Sequence, residues 1–244
     1  MYESPLIGGR TFVSRAATAR VRNLRDQPAY PLHEAARYAR VVPATLRTWV
    51  LGRKYQTSAG PREWPRLITP ADQPHCLLSF NNLVEAHVLR SLRTMHGSQI
   101  PQIRSALRYA AQELGIDRLL LSRELQTGGG DLFIERLGQL INLSQSGQLA
   151  LKAVLEQHLK RVARDSAGLP IKLFPFVLDD GRSGRVIAID PAIGFGRPIV
   201  ASKGIATQTI VERIDAGEAL EALADDYGMP VEELTEAILY ERAA

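Results

Sequence analysis

Two clusters of charged and polar side chains in this sequence have the types and spacing for recognition chemistry. In "TLRTWVLGRKY", Thr45, Arg47 and Thr48 fall on one face of a short helix, with Arg53, Lys54 and Tyr55 just past its end at Gly52. Arginine can fork onto guanine, threonine can meet a base edge or a thymine methyl, and lysine can neutralise a phosphate. The second cluster has the opposite sign. Between Gly217 and Arg242, two short helices bend around Gly228 and Pro230, and their outward positions carry Glu218, Glu221, Asp225, Asp226, Glu232, Glu233 and Glu236. Each of these carboxylates repels a phosphate backbone instead of releasing its counterions. That face suits a cationic protein better than DNA. Glu232 and Glu233 would also meet a helix dipole favourably with no partner at all.

The elements that must position these residues follow from periodicity. In "YPLHEAARYARVVPATLRTWVLGRKY", Leu32, Ala35, Ala36 and Ala39 share one helix face, and the pattern breaks after Ala39. Pro43 suits the first position of a second helix, whose inward stripe is Leu46, Trp49 and Val50. Two short helices with a tight turn predict a helix-turn-helix. Arg37 and Arg40 count with the DNA-facing cations. "YQTSAGPREWPRLI" predicts a hairpin wing turning at Gly60-Pro61, with Arg62 and Arg66 beside the backbone.

Further along, a helix capped by Ser79 and another running from Pro101 to Leu114 brace this unit. Residues 116–146 read as a small antiparallel meander through "RLLLSREL" and "QTGGGD". A helix with Leu151, Val154, Leu155, Leu159 and Val162 on one stripe follows, packed internally or against a second copy. A hairpin turning at Asp180-Gly181 comes next. Three short helices then close the chain as a homeodomain-like bundle: one after Thr207, one burying Leu220, Leu223, Ala224 and Tyr227, one burying Val231, Leu234 and Ile238. The expected fold class is α+β and mainly α. Its divisions are a flexible basic arm (1–29), a winged helix-turn-helix domain (30–115), a connecting and dimerisation region (116–190) and an acidic partner-binding domain (191–244).

Composition narrows the function classes. Hydrophobic residues make up 45% of the 244, enough for a core, and the single cysteine, Cys76, excludes an intrachain disulfide. No apolar run approaches the ~18 residues of a membrane span, so the sequence reads as soluble and cytoplasmic. Arginine-rich, acid-poor "RTFVSRAATARVRNLR" leaves a transit peptide open beside a basic arm. The net charge of +4 hides a gradient. Residues 1–70 hold twelve Lys/Arg against four Asp/Glu, whereas residues 169–244 hold seven against thirteen. Such polarity suggests an anionic partner for the front and a cationic one for the back. His33, His75, His87, His96 and His158 show no metal-binding spacing, and "TGGGD" and "GFGRP" read as turns. Asp179 and Asp180 read as solvated turn residues. The expectation is a non-enzymatic protein without cofactor or metal.

The quoted helix pair, together with "LSFNNLVEAHVLRSLR", "LINLSQSGQ" and "GRPIVASKGIATQTIVERIDAG" running on through the acidic helices, resembles a bacterial family. It is the VapB-type antitoxins that join an N-terminal MerR-like winged helix to a C-terminal homeodomain-like domain of unknown function. The resemblance covers nearly all of residues 30–242. It implies a type II toxin–antitoxin system: a partner that is a PIN-like ribonuclease toxin, operator DNA, and a homodimer that represses its own operon. On it, Thr45, Arg47 and Thr48 take the reading-helix positions, with Arg53 and Lys54 beside the backbone. Arg197 and Lys203 would meet the toxin along with the acidic helices, which could imitate a nucleic-acid backbone. Met229 stands where relatives more often have a capping Ser or Thr, and "ASKGIAT" replaces Gly-Thr-Gly-Ile-Pro-Thr. The alternative is a MerR-like transcription regulator whose C-terminal part binds a ligand or another protein.

Overall fold

Tyr30 is the first described residue of the apolar core, bonding by its amide and its carbonyl to Leu78 at 2.9 and 2.8 Å. The computed structural model describes residues 24–57, 60–93, 100–176 and 184–242. The basic arm expected over 1–29 lies outside the described residues up to position 23. Residues 24–29 are part of the body: Arg25 is buried and pairs with Asp165 at 2.7 Å.

Helix α1 (Leu32–Ala39) and helix α2 (Pro43–Leu51) form as their periodicity predicts. Arg40 closes α1 at φ 57°, the left-handed residue that lets the chain reverse in three positions. Leu46, Trp49 and Val50 face inward from α2. Strand β1 (Arg53–Thr57) pairs antiparallel with β2 (Gly60–Trp64), Tyr55 opposite Arg62. Gly60 and Pro61 belong to β2, paired with Thr57 and Gln56, so the turn expected at Gly60-Pro61 is not there; positions 58–59 lie outside the described residues. Helix α3 (Phe80–Arg93) is buried almost all round, the mark of a core helix. Ser79 and Asn82 bond reciprocally at its start: the Asn82 amide donates to Ser79 Oγ (3.3 Å) and the Ser79 amide to Asn82 Oδ1 (3.0 Å). Helix α4 (Ile100–Leu114) follows.

The meander expected over 116–146 is absent. Two 3-10 turns (Leu119–Leu121 and Arg123–Gln126) lead instead into helix α5 (Gly128–Leu140) and helix α6 (Gln145–Lys160). Gly128–Gly130 open a helix, and at Gly129 and Gly130 the backbone runs too close for a side chain. A Cβ at Gly130 would stand 2.3 Å from the Leu125 carbonyl oxygen, and one at Gly129 would stand 2.8 Å from that of Glu124. Phe133, Ile134 and Leu137 are then buried at helical spacing.

A meander does exist, later in the chain. Strands β3 (Val162–Arg164), β4 (Pro170–Leu173), β5 (Ile187–Ile189), β6 (Pro198–Val200) and β7 (Ile205–Ala206) form one antiparallel sheet in sequence order. Leu173 opposite Ile189 is the hairpin expected there, though its Asp180-Gly181 turn lies outside the described residues. Helices α7 (Thr207–Asp215), α8 (Leu220–Tyr227) and α9 (Val231–Arg242) complete the fold. There are two apolar cores, and β5 ties them together, with Ile189 in the larger and Ile187 in the smaller under α7–α9. No helix among the described residues is long and apolar enough to cross a membrane.

Inside the larger core, His87 of α3 is fully buried, its Nε2 3.1 Å from the His158 carbonyl and its ring 5.0 Å from that of His158. Burial, reinforced by His158, holds its pKa well below the ordinary histidine value. Below about pH 6.5 the unfolded chain takes up a proton that the folded chain refuses, so stability falls as pH drops through that value. Urea unfolding at pH 7.5 and 5.5 should show a smaller acid loss for His87→Gln than for wild type. Equal losses would mean that another group carries the acid sensitivity.

Candidate functional site

The outward face of α2 is held by its inward one. With Leu46, Trp49 and Val50 locked in the core, Ala44 and Arg47 are exposed and Thr45 and Thr48 half-exposed. The side chains of Arg47, Arg53 and Lys54 make no hydrogen bond or ion pair with any described residue. Thr48 donates to the Ala44 carbonyl of its own helix at 2.9 Å. The apolar Val42 and Leu51 stand at either end of the same helix, 66% and 47% exposed. Tyr55 packs on Trp64 with ring centroids 4.8 Å apart, stiffening the hairpin, and Arg66 donates to Gln73 Oε1 at 2.9 Å. The side chain of Arg62 lies outside the described atoms.

Two cations missed in the sequence reading stand beside the hairpin. Arg104 and Arg108 of α4, with Arg66 and Arg118, rim a cleft of about 530 Å³ floored by Leu107 and Ile116. Arg104 donates to the Pro65 carbonyl. Burial and then the charge of Arg108 lower its pKa. Like charges one helical turn apart repel. That spacing was the available signal.

Arg37 and Arg40, grouped with the DNA-facing cations, are engaged by the end of the last helix. Arg37 pairs with Glu241 at the end of α9, and Arg40 Nη2 donates to the Tyr240 carbonyl at 2.7 Å with its guanidinium 4.5 Å over the Tyr240 ring. The Tyr240 hydroxyl donates back to the Tyr38 carbonyl at 3.3 Å. Glu241 also accepts from Thr207 at 2.5 Å, and its side chain is only 7% exposed. A carboxylate so far from water needs these partners. Burial is the largest single influence and opposes the charge of Arg37, but Glu241 acting together with Tyr38 and Tyr240 raises the Arg37 pKa.

The acidic face is less uniform than its sequence. Arg213 gathers Glu218 and Asp226, and hydrogen bonding to it lowers the Glu218 pKa. Glu233 accepts from Ser202. Glu236 is half-buried, with Oε1 out of water and without a hydrogen-bond partner among the described residues. Glu221, Asp225 and Glu232 are left as exposed carboxylates with no described partner. Lys203 is exposed, its Nζ 3.5 Å from where a Cβ at Gly228 would sit, over the end of α8. Arg197 is exposed beside Arg37 and Glu241.

A relative from Mycobacterium tuberculosis, "Putative antitoxin VapB45", is 30% identical over 232 residues, spanning 87% of this chain and 93% of its own length. The chain belongs to this antitoxin family. "Uncharacterized protein Rv2308" of the same organism is 24% identical over 238 residues, spanning 90% of this chain and 92% of its own. Residues 187–240 match a protein family of unknown function (DUF433), a segment that starts at β5 and includes all of α7–α9 except the tip of α9. The crystal structure of Rv2018 from Mycobacterium tuberculosis superposes with a TM-score of 0.62 at 23% identity, over 87% of this chain and 98% of that one. That likeness shows a shared fold.

One acid of the C-terminal unit can be tested alone. Burial raises the Glu236 pKa, with Arg161 opposing and Glu233 adding to the shift. The folded chain therefore holds this proton longer than the unfolded one, and stability falls as pH rises from the ordinary glutamate value through the raised one. Glu236→Gln should match or exceed the wild-type melting temperature at pH 7, with the gain vanishing near pH 4. A variant less stable at pH 7 would show that the ionised form is held by more than Arg161.

Proposed function

We propose that this chain is the antitoxin of a type II toxin–antitoxin pair, holding a PIN-like ribonuclease inactive and repressing its own operon. The observation that carries the DNA half is α2: its inner face is wholly committed to the core, while unpaired Arg47 stands outward beside Arg53 and Lys54. In this reading α1, α2 and the β1–β2 hairpin act as a MerR-like winged helix-turn-helix. The reading helix lies in the major groove and the hairpin cations lie along the phosphates. Arg104 and Arg108, at the cleft beside Pro65 and Arg66, would add cations for the same partner. A homodimer would place two such helices on two half-sites. The protein acts by binding, with no catalytic step of its own.

For the toxin half, α7–α9 form a homeodomain-like unit whose bare carboxylates, Glu221, Asp225 and Glu232, favour a cationic protein over DNA. A ribonuclease that holds RNA phosphates offers such a surface. The retained antitoxin family membership supports a toxin as the protein concerned.

Binding of purified protein to its promoter DNA, measured at two salt concentrations, separates the roles. Arg47→Ala should weaken operator binding roughly tenfold or more and relax its sequence preference. Lys54→Ala should weaken all sequences alike and reduce the salt slope by about one. Unchanged binding in both variants would mean that α2 is not the reading helix.

A further inference from the structure

The segment between β5 and β6 holds three consecutive left-handed residues: Gly194 (φ 58°), Phe195 (φ 56°, ψ 29°) and Gly196 (φ 74°). Glycine takes such angles freely, but phenylalanine is strained there. The strain leads to nothing inside the molecule, because the Phe195 ring is 94% exposed. Nor is the loop loose. The Tyr30 hydroxyl donates to the Gly196 carbonyl at 3.0 Å, and a Cβ at position 196 would stand 2.1 Å from that hydroxyl. The Ile193 amide bonds the Asp190 carbonyl at 3.0 Å, the Gly196 amide that of Ile193 at 3.0 Å, and the Arg197 amide that of Gly194 at 3.1 Å. A rigid backbone thus holds a large apolar ring out into solvent, and strain kept without internal use points to an external contact.

We propose that Phe195 is the apolar anchor of the toxin-binding surface, entering a phenyl-sized socket on the toxin. This rests on the antitoxin reading. Its surroundings connect it to the charged end of the same unit. Ile193, 40% exposed, lies 3.7 Å from where a Cβ at Gly204 would sit, next to Lys203 over the end of α8 and Ser202 bonded to Glu233. The result is one continuous strip: an aromatic knob, a half-exposed isoleucine, then lysine and the acidic corner of α8 and α9. Interfaces concentrate binding energy in a few aromatic anchors ringed by polar residues. Arg197, exposed two residues beyond the ring, calls for a carboxylate at the rim of the socket. Nothing in the charge readings of the sequence singles out Phe195; the signal was an aromatic between two glycines, which reads first as a turn.

The test titrates this protein with the purified product of the adjacent gene, following affinity by calorimetry, melting temperature and oligomeric state together. Phe195→Gly should keep or raise the melting temperature, because it removes left-handed strain, while weakening toxin binding at least tenfold. Phe195→Trp should bind within a few fold of wild type, and operator binding should be unchanged in both. If wild type binds the toxin and Phe195→Gly binds it equally well, the anchor is wrong while the antitoxin reading stands. If toxin affinity holds but Phe195→Gly dissociates a dimer, the ring belongs to a second copy and the proposal is overturned. Failure of wild type to bind would overturn the antitoxin reading and this assignment with it.

Discussion

The last turn of α9 is fastened to α1 through two arginines, and the relation between the two ends of the chain depends on that fastening. Glu241 is nearly out of water, and leaving it there without Arg37 and Thr207 would strand a charge in a poor solvent. Arg40 adds a bond to the Tyr240 carbonyl and a cation over the Tyr240 ring, and Tyr240 itself closes the loop on Tyr38. Because α1 packs against α2, the helix proposed to read DNA takes its orientation partly from the C-terminal helix. A partner that shifts α9 must therefore displace α1 or break a buried ion pair.

That fastening also explains where reading the sequence stops. The helix pair at 32–51, the Ser79 start of α3 and the three terminal helices were legible because each declares itself locally, through apolar spacing, a proline at a helix start or a short polar cap. What a side chain meets two hundred residues away is not local. Arg37 and Arg40 carry the charge of DNA-binding residues, and Glu241 looks like one more member of an acidic face; only the packed structure pairs them. The segment 116–146 misled for another reason. Its glycines imitate a turn, yet they are there so that α5 can start against the backbone of Glu124 and Leu125. Met229 shows the same trade in reverse, since the residue that gives up a cap is buried in the smaller core instead.

The charge gradient survives folding in altered form. At the front, the side chains of Arg47, Arg53 and Lys54 remain bare, and Arg104 and Arg108 add two cations at a cleft that includes Pro65 and Arg66, just past the hairpin. At the back, seven outward acids reduce to three exposed ones without a described partner, because Arg213 and Ser202 engage Glu218, Asp226 and Glu233 and the fold half-buries Glu236. An acidic surface that thin supports steering more readily than tight binding. An apolar anchor beside it would supply affinity, and exposed Phe195 at the other end of the same strip has the geometry for one.

The claim that the two ends are joined through a buried ion pair is tested most directly by a double-mutant cycle on Arg37 and Glu241, read as unfolding free energy. The structure predicts that Arg37→Ala and Glu241→Ala are each destabilising, and that together they cost about 1–3 kcal/mol less than their sum. Additivity to within about 0.3 kcal/mol would contradict the account, leaving α9 and α1 as neighbours without a bond that matters.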